Sequence, residues 1–305
     1  MNTPLPHGLY GLPPRDVVEA PDGALQVSPL VPGSASLEGL AEGSLAGATL
    51  LAPPGTVERR YVIALALRAL VPGGRLTVAA PKDRGGSRLR GELEAFGCAV
   101  LEEARRHHRI CRVARPAEPA GLDDAIARGA ARFSAELGLW TQSGVFSWDR
   151  IDPGSALLLR HLPPLAGRGA DFGCGVGVLA KAVLTNAAVG SLALIDIDRR
   201  AVEAARRNID DPRATFHWSD VREAGIEAGS LDFVVMNPPF HDGGTEDRQL
   251  GQTFIREAGR VLRKGGVLWL VANRHLPYEA VLNESFKAVT PRGDQGGFKL
   301  YEARR

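Results

Sequence analysis

The residues best suited to chemistry lie in the run Asp232-Phe-Val-Val-Met-Asn-Pro-Pro-Phe240, where an apolar stretch ends abruptly in Asn237-Pro238-Pro239-Phe240. Neither proline can donate to a strand ladder, so the pair terminates a strand and stiffens the chain after it. The Asn237 side-chain oxygen and the Pro238 carbonyl can then be held pointing the same way. Two fixed acceptors can grip an NH2 group, and the ring of Phe240 can stack on the flat substrate that carries it. A Pro-Pro strand stop with no chemical role reads equally well from the tetrapeptide alone.

The segment upstream shifts that balance. Gly169-Ala-Asp-Phe-Gly-Cys-Gly-Val-Gly177 reads as a strand, a glycine turn and then a helix from Val178 to about Ala187. Gly173, Gly175 and Gly177 permit a tight turn and close approach of a ligand to the backbone, with Asp171 at the strand end. Next, Ser191–Asp196 forms an apolar strand ending in an acid, followed by a helix over Arg199–Asn208. Asp196 stands where a doubly wound nucleotide-binding fold contacts ribose hydroxyls. Asp198 reads as the helix N-cap. A third strand near Ala214–Trp218 leads to Asp220, which could reach an adenine amino group or could cap the next turn.

This order of motifs resembles the class I S-adenosylmethionine-dependent methyltransferases. The resemblance implies an α/β fold with a Rossmann-like, seven-stranded methyltransferase sheet in the C-terminal domain. It also implies S-adenosyl-L-methionine as cofactor, held by Asp171, Gly173, Gly175, Gly177, Asp196 and Asp220. A nicotinamide-binding fold is set aside: the Asp-x-Gly-x-Gly-x-Gly spacing departs from G-x-G-x-x-G, and a dehydrogenase has no use for Asn237-Pro-Pro-Phe240.

From about Gly144 to Arg304 the chain resembles one subgroup more closely, the ribosomal RNA guanine-N2 methyltransferases. The matching strings are Gly144-Val-Phe-Ser147, Asn237-Pro-Pro-Phe-His-Asp-Gly243, Val271-Ala-Asn-Arg-His-Leu-Pro-Tyr278 and Gly297-Phe-Lys-Leu-Tyr301. The resemblance implies methyl transfer to the N2 amine of a guanine in small-subunit 16S ribosomal RNA, with Asn237, Pro238, Pro239 and Phe240 as catalytic residues. The base must leave its stack to reach such a pocket. His241 is expected to orient substrate or contact RNA. Phe146 either caps the cofactor or the base, or is a core aromatic. Other readings stay open: transfer to another NH2 (a large-subunit guanine, DNA adenine N6 or protein glutamine), and a non-catalytic RNA-binding or ribosome-assembly protein.

An internal repeat accompanies these motifs. Ala66–Leu76 aligns with Ala258–Leu268 through a shared Gly-Gly, and Thr49-Leu-Leu-Ala-Pro-Pro-Gly55 aligns with Val234–Phe240. The first copy has Ala52 for Asn237 and Gly55 for Phe240, and no glycine turn precedes it. Residues 1–130 are therefore expected to form a smaller, truncated, degenerate methyltransferase-like α/β domain without a cofactor site, with RNA docking as its task. Residues 131–305 are expected to be the catalytic domain.

Composition fits two globular domains: the 305 residues are 44% hydrophobic. No apolar run reaches the ~20 residues of a membrane span. No secretory leader is expected, so the location should be cytoplasmic. Cys98, Cys111 and Cys174 give no disulfide framework, and no metal is expected. A monomer is expected, with ribosomal RNA or the small ribosomal subunit as partner. The net charge of +2 is small for an RNA-binding chain, so charge placement matters more. Arg105-Arg-His-His-Arg109 with Arg112 and Arg115, and Lys82 with Arg84, Arg88 and Arg90, form two basic clusters. Each is either a solvated face or a phosphate-contacting surface.

Overall fold

The computed structural model describes residues 4–305 except 240, 243, 244 and 247, and the side chains of 241, 242, 245, 246 and 248 also lie outside the described set. Two units divide the chain, Met1–Ala130 and Ala131–Arg305.

In the second unit, a hairpin of β7 (Arg132–Ser134) and β8 (Leu139–Thr141) is followed by α4 (Pro153–His161). The sheet then builds as β9 (Gly167–Phe172), α5 (Val178–Val183), β10 (Val189–Asp196), α6 (Arg199–Asn208), β11 (Ala214–Trp218) and β12 (Leu231–Met236). A short pair, β13 (His241–Asp242) and β14 (Thr245–Glu246), precedes α7 (Arg248–Val261), β15 (Leu262–Asn273), α8 (Glu279–Ser285), β16 (Ala288–Gln295) and β17 (Phe298–Arg304). The seven-stranded sheet has the order β11-β10-β9-β12-β15-β17-β16. Its inner strands are near-continuous apolar runs because helices cover both faces. Phe172, Met236 and Phe254 belong to one core, and Leu158, Leu194 and Val235 to another. After β9 the chain moves outward to β10 and β11, then returns to the other side of β9 as β12. That reversal leaves a crevice at the C-terminal ends of β9 and β12, the place where open α/β sheets bind ligands.

The first unit contains β1 (His7–Tyr10), β2 (Leu25–Gln26), β3 (Leu45–Leu51), α1 (Thr56–Ala69), β4 (Leu70–Pro81), α2 (Leu89–Glu94), β5 (Leu101–Arg105), β6 (His108–Ala114) and α3 (Leu122–Gly129). Its sheet order, β2-β1-β3-β4-β6-β5, repeats β10-β9-β12-β15-β17-β16 and has no counterpart of β11. β3 pairs with β4 in parallel and β4 with β6 antiparallel, as β12 does with β15 and β15 with β17. The Gly-Gly pairs play one part in both units. The Gly73 amide donates to the Arg115 carbonyl (3.0 Å) and the Gly265 amide to the Arg305 carbonyl (2.8 Å). A Cβ on Gly74 would lie 2.8 Å from the Val71 carbonyl oxygen, and one on Gly266 2.9 Å from that of Arg263. Beta-carbon-free backbone is therefore required at both turns. The first fifty residues are loop-rich yet packed, with Val17, Val27 and Leu37 buried.

Three sequence expectations need correction. Helix α5 ends at Val183, short of Ala187. Asn186 leaves the helix to donate to the Leu165 carbonyl (2.7 Å), and Arg213 donates to the carbonyls of Leu184 and Asn186 (2.5 and 2.9 Å), capping the helix from a distance. Second, the Pro-Pro alignment is one residue out. Ala48 pairs with Leu76 as Val234 pairs with Leu268, so Leu51 stands in the register position of Asn237, and β3 runs one residue further before its prolines. Third, Arg115 is no surface cation. It is 6% exposed, and its Nε donates to the Leu67 carbonyl (2.7 Å). Much of the remaining basic cluster is neutralised locally, Arg106 by Asp16 (3.0 Å), Arg109 by Glu102 (3.5 Å), Arg112 by Glu103 (3.0 Å) and Arg90 by Glu94 (2.9 Å).

Gly266→Ala should cost roughly 1–3 kcal/mol, because backbone oxygens cannot swing aside for the new methyl. Thermal unfolding checks this; an unchanged midpoint would contradict the shared turn geometry.

Candidate functional site

The crevice at the β9/β12 switch point is floored by the glycine turn. Gly173, Gly175 and Gly177 all have left-handed backbone, with φ of +71°, +53° and +88°. At Gly177 a Cβ would also lie 2.9 Å from the Ile209 side chain, whereas at Gly175 it would meet nothing within 4 Å. Gly177 is thus demanded by packing, and Gly175 leaves its backbone open for a ligand to approach.

Two carboxylates hold the turn. Asp171, at the end of β9, is fully buried, and its Oδ2 accepts from the Ala180 amide in the first turn of α5 (3.1 Å). Its Oδ1 has no hydrogen-bond partner among the described residues. A buried acceptor without a donor is rare in folded proteins and marks a place for a ligand or water hydrogen. Burial pushes the Asp171 carboxyl up to about 7, the Ala180 amide opposing and the charge of Asp196 adding. Asp196 ends β10 and accepts from the Gly175 amide through Oδ2 (2.8 Å) and from the Asp198 amide through Oδ1 (2.9 Å). Its low-dielectric surroundings push it up to about 6, against the Asp198 amide bond. Each carboxylate oxygen has a second lone pair, so these bonds leave Asp196 able to accept from a hydroxyl. Between them lies Cys174, whose thiol burial and the two carboxylates push well above its ordinary range; it stays protonated, as a packing residue would.

Asn237 follows directly on β12. Met236 pairs with Phe172, so Asn237 sits beside Gly173 across the strand ends. Its Nδ2 donates to Asp152 Oδ2 (2.7 Å) and to Ser155 Oγ (3.0 Å). Both amide hydrogens are thereby committed, and no donor among the described residues reaches its Oδ1. The amide oxygen is the group left to face a substrate. Asp152 is itself fixed as the N-cap of α4, with Oδ2 accepting from the Ser155 amide (2.8 Å) and Pro153 just inside the helix.

Asn237, Gly173, Gly175, Asp152, Ser155 and Phe146 all line one cleft with about 420 Å³ of empty space, part of it open to solvent. Phe146 is 55% exposed, which rules out the core-aromatic alternative. A turn with Ser147 at φ +56° presents it, closed by the Ser147 hydroxyl on the Arg150 carbonyl (2.6 Å). A non-glycine residue in that region is worth a functional question. Pro238 is buried and Pro239 partly so, with Pro239 on the Gly173 side of the cleft. Phe240 lies outside the described residues, as does the side chain of His241. Asp171 and Gly177 lie under the cleft. Asp220, one strand further out, caps the short turn Val221–Glu223 and makes a two-pronged ion pair with Arg222 (2.8 and 2.6 Å), which holds its carboxyl below the ordinary range. The capping alternative is therefore realised at Asp220, and Asp198 caps α6 while pairing with Arg200 (2.8 Å).

Asp152 and Ser155 were not among the residues singled out from sequence. Asp152-Pro-Gly-Ser155 carries a readable helix-start pattern, but nothing in it points to Asn237, 85 positions away. Among the described residues no group of His, Cys, Asp and Glu side chains could hold a metal ion, and no helix is long and apolar enough to cross a membrane.

Comparison with known proteins agrees with this geometry. Residues 136–302 match the methyltransferase small domain. The chain is 32% identical over 253 residues to the ribosomal RNA small subunit methyltransferase C of Shewanella loihica, covering 80% of this chain and 73% of that protein. It is 33% identical over 272 residues to the protein of that name from Pseudomonas paraeruginosa, covering 86% and 80%. Among solved structures, the T. thermophilus 16S rRNA N2 G1207 methyltransferase in complex with AdoMet and guanosine superimposes with a TM-score of 0.74 at 28% identity, over 88% of this chain and 75% of that one. The chain belongs to the methyltransferase small domain family and, within it, to the ribosomal RNA small subunit methyltransferases C.

Proposed function

We propose that this protein transfers a methyl group from S-adenosyl-L-methionine to the exocyclic N2 amine of a guanine in 16S ribosomal RNA. The observation that carries the reading is the Asn237 amide, pinned by Asp152 so that its oxygen faces the cleft. S-adenosyl-L-methionine, when bound, supplies an electrophilic methyl group on a sulfonium centre. The residues that would hold it are the Gly173–Gly177 turn, Asp171 with its unpartnered oxygen, Asp196 for ribose hydroxyls and Asp220 at the adenine end.

The chain's own contribution is positioning. The amine of guanine is a poor nucleophile because its lone pair is delocalised into the ring. With one hydrogen on Asn237 Oδ1 and the other on the Pro238 carbonyl, the nitrogen is drawn toward pyramidal geometry and its lone pair is freed. Fixed orientation of this kind is worth up to roughly 7–11 kcal/mol in well-aligned systems. The same two oxygens stabilise positive charge developing on the nitrogen. No strong base is required, since the alkylated nitrogen readily loses a proton. Phe240 is assigned the stacking role, and Phe146 a lid over the cleft.

Asp152 also favours guanine over adenine. In guanine the amine adjoins a ring N–H, which a carboxylate can accept; in adenine it adjoins unprotonated ring nitrogens, which a carboxylate repels. Residues 1–130 are assigned to RNA docking. Lys82 and Arg88 support this, since both are exposed and neither forms an ion pair among the described residues. The protein is assigned as a cytoplasmic, metal-independent monomer acting on ribosomal RNA or the small subunit.

Nucleoside mass spectrometry of 16S ribosomal RNA from a deletion strain should show one N2-methylguanosine lost and restored by the intact gene; an unchanged methylation profile would refute the reading. In the same assay with purified protein, Asn237→Ala should lower the rate on the order of 10²-fold or more while cofactor binding persists. Asp152→Ala should lower it roughly 10- to 100-fold through a misoriented amide, against about 1 kcal/mol of stability from the lost cap. Activity falling no further than stability would make Asp152 merely structural.

The carboxyls at about 7 and about 6 set a pH dependence. Both lie above their ordinary value, so without cofactor they contribute stability on the acid side that is lost as pH rises through 6 and 7. Cofactor hydrogens need ionised acceptors, so affinity should change the opposite way, falling as pH drops through that window, with proton release on binding. Calorimetry should show this, and Asp196→Ala should weaken affinity and flatten the lower part of the profile. Unaltered affinity would refute the ribose assignment.

A further inference from the structure

The corner of the first unit that corresponds to the substrate corner of the second is filled. Arg59, on α1, is 0% exposed and lies against the Pro53-Pro54 strand stop. Its Nη1 donates to the carbonyls of Pro53 (3.2 Å) and Pro54 (2.7 Å), and its Nη2 to the Thr56 hydroxyl (3.3 Å). Nε and Nη2 together donate to the two oxygens of Glu92 on α2, each at 2.7 Å. Gly85, at φ +94°, makes room: a Cβ there would lie 2.1 Å from Nη1. Five donors on a flat guanidinium thus meet proline carbonyls on one side and a buried carboxylate on the other.

That arrangement has a specific chemical reading. The N1–C2–N2 edge of guanine is itself a planar guanidine, and a carboxylate accepting two parallel hydrogen bonds is how such an edge is gripped. The repeat supplies the contrast. Counting from Ala66 and Ala258, the second-unit counterpart of Arg59 is Gly251, which has no side chain to occupy the corner. The link from prolines to helix is also shortened, from residues 240–247 to Gly55 alone. We propose that Arg59 is a built-in ligand of this relic corner: its guanidinium sits as an internal substitute for the planar N–C–N edge of a base, and the pocket left by its removal is a selective site for free guanidinium. The first unit therefore cannot capture a flipped base there, and any RNA contact it makes is through its surface.

Arg59→Ala in the full chain should lower the unfolding midpoint on the order of 10 °C, because Glu92 is left buried and unpaired. Low-millimolar guanidinium should restore much of that loss with saturable concentration dependence, as mass action requires. Ammonium or sodium at equal ionic strength should not, and the wild-type chain should not respond. Arg59→Lys, which keeps the charge and loses the planar fork, should be destabilised without being rescued. If Arg59→Ala is recovered only unfolded, the fraction that refolds in each salt gives the same comparison. The proposal is overturned if Arg59→Ala melts with the wild type, if guanidinium does no more than ammonium, or if Arg59→Lys is as stable as the parent.

Discussion

The hydrogen bond from Asn237 Nδ2 to Asp152 Oδ2 decides what the site can do. An unrestrained amide offers a substrate amine either two donors or one acceptor, and only the acceptor is useful. By tying the NH2 end to a carboxylate already locked as a helix cap, the fold commits Asn237 to one face. Each participant is immobile for its own reason. Asn237 is fixed by a strand end and two prolines, Asp152 by the start of α4, and the glycine turn by bonds to Ile195 and Asp196. The site is thus preorganised before any ligand enters, the condition under which positioning and electrostatics accelerate transfer.

The same economy of position explains where electrostatic strain is kept. Asp171 and Asp196 are carboxyls in surroundings that disfavour their charge, and one oxygen of Asp171 has no donor among the described residues. In a stable core this would be a defect. Under a cleft that receives a cation and two ribose hydroxyls, it stores free energy that ligand hydrogen bonds release. The first unit shows the opposite solution. There the buried carboxylate of Glu92 is satisfied permanently by Arg59, and no cleft survives.

Much of this was legible in the sequence because the determining signals are local. The limits of α6 and β11 follow from the Asp198 cap and from a clean change of hydrophobic period. The glycine turn and the Asn-Pro-Pro corner announce themselves because only those residue types tolerate that backbone. What escaped prediction rests on partners distant along the chain. Helix α5 ends early because Arg213 caps it from 29 residues away. Arg115 reads as one more cation in a basic run, and only the tertiary fold shows it buried against Leu67. Asp152 could be read as a cap but not as the orienter of Asn237. The Pro-Pro alignment slipped by one residue because sequence similarity rewards matched prolines, whereas ladder register counts the residues between them.

The most direct test of the account is a crystal structure of the protein with S-adenosylhomocysteine and guanosine. The guanine N2 should lie within hydrogen-bonding distance of Asn237 Oδ1 and the Pro238 carbonyl, with Asn237 Nδ2 still on Asp152. A guanine bound with its amine turned away from that corner, or an Asn237 amide rotated to present its NH2 to the base, would contradict it.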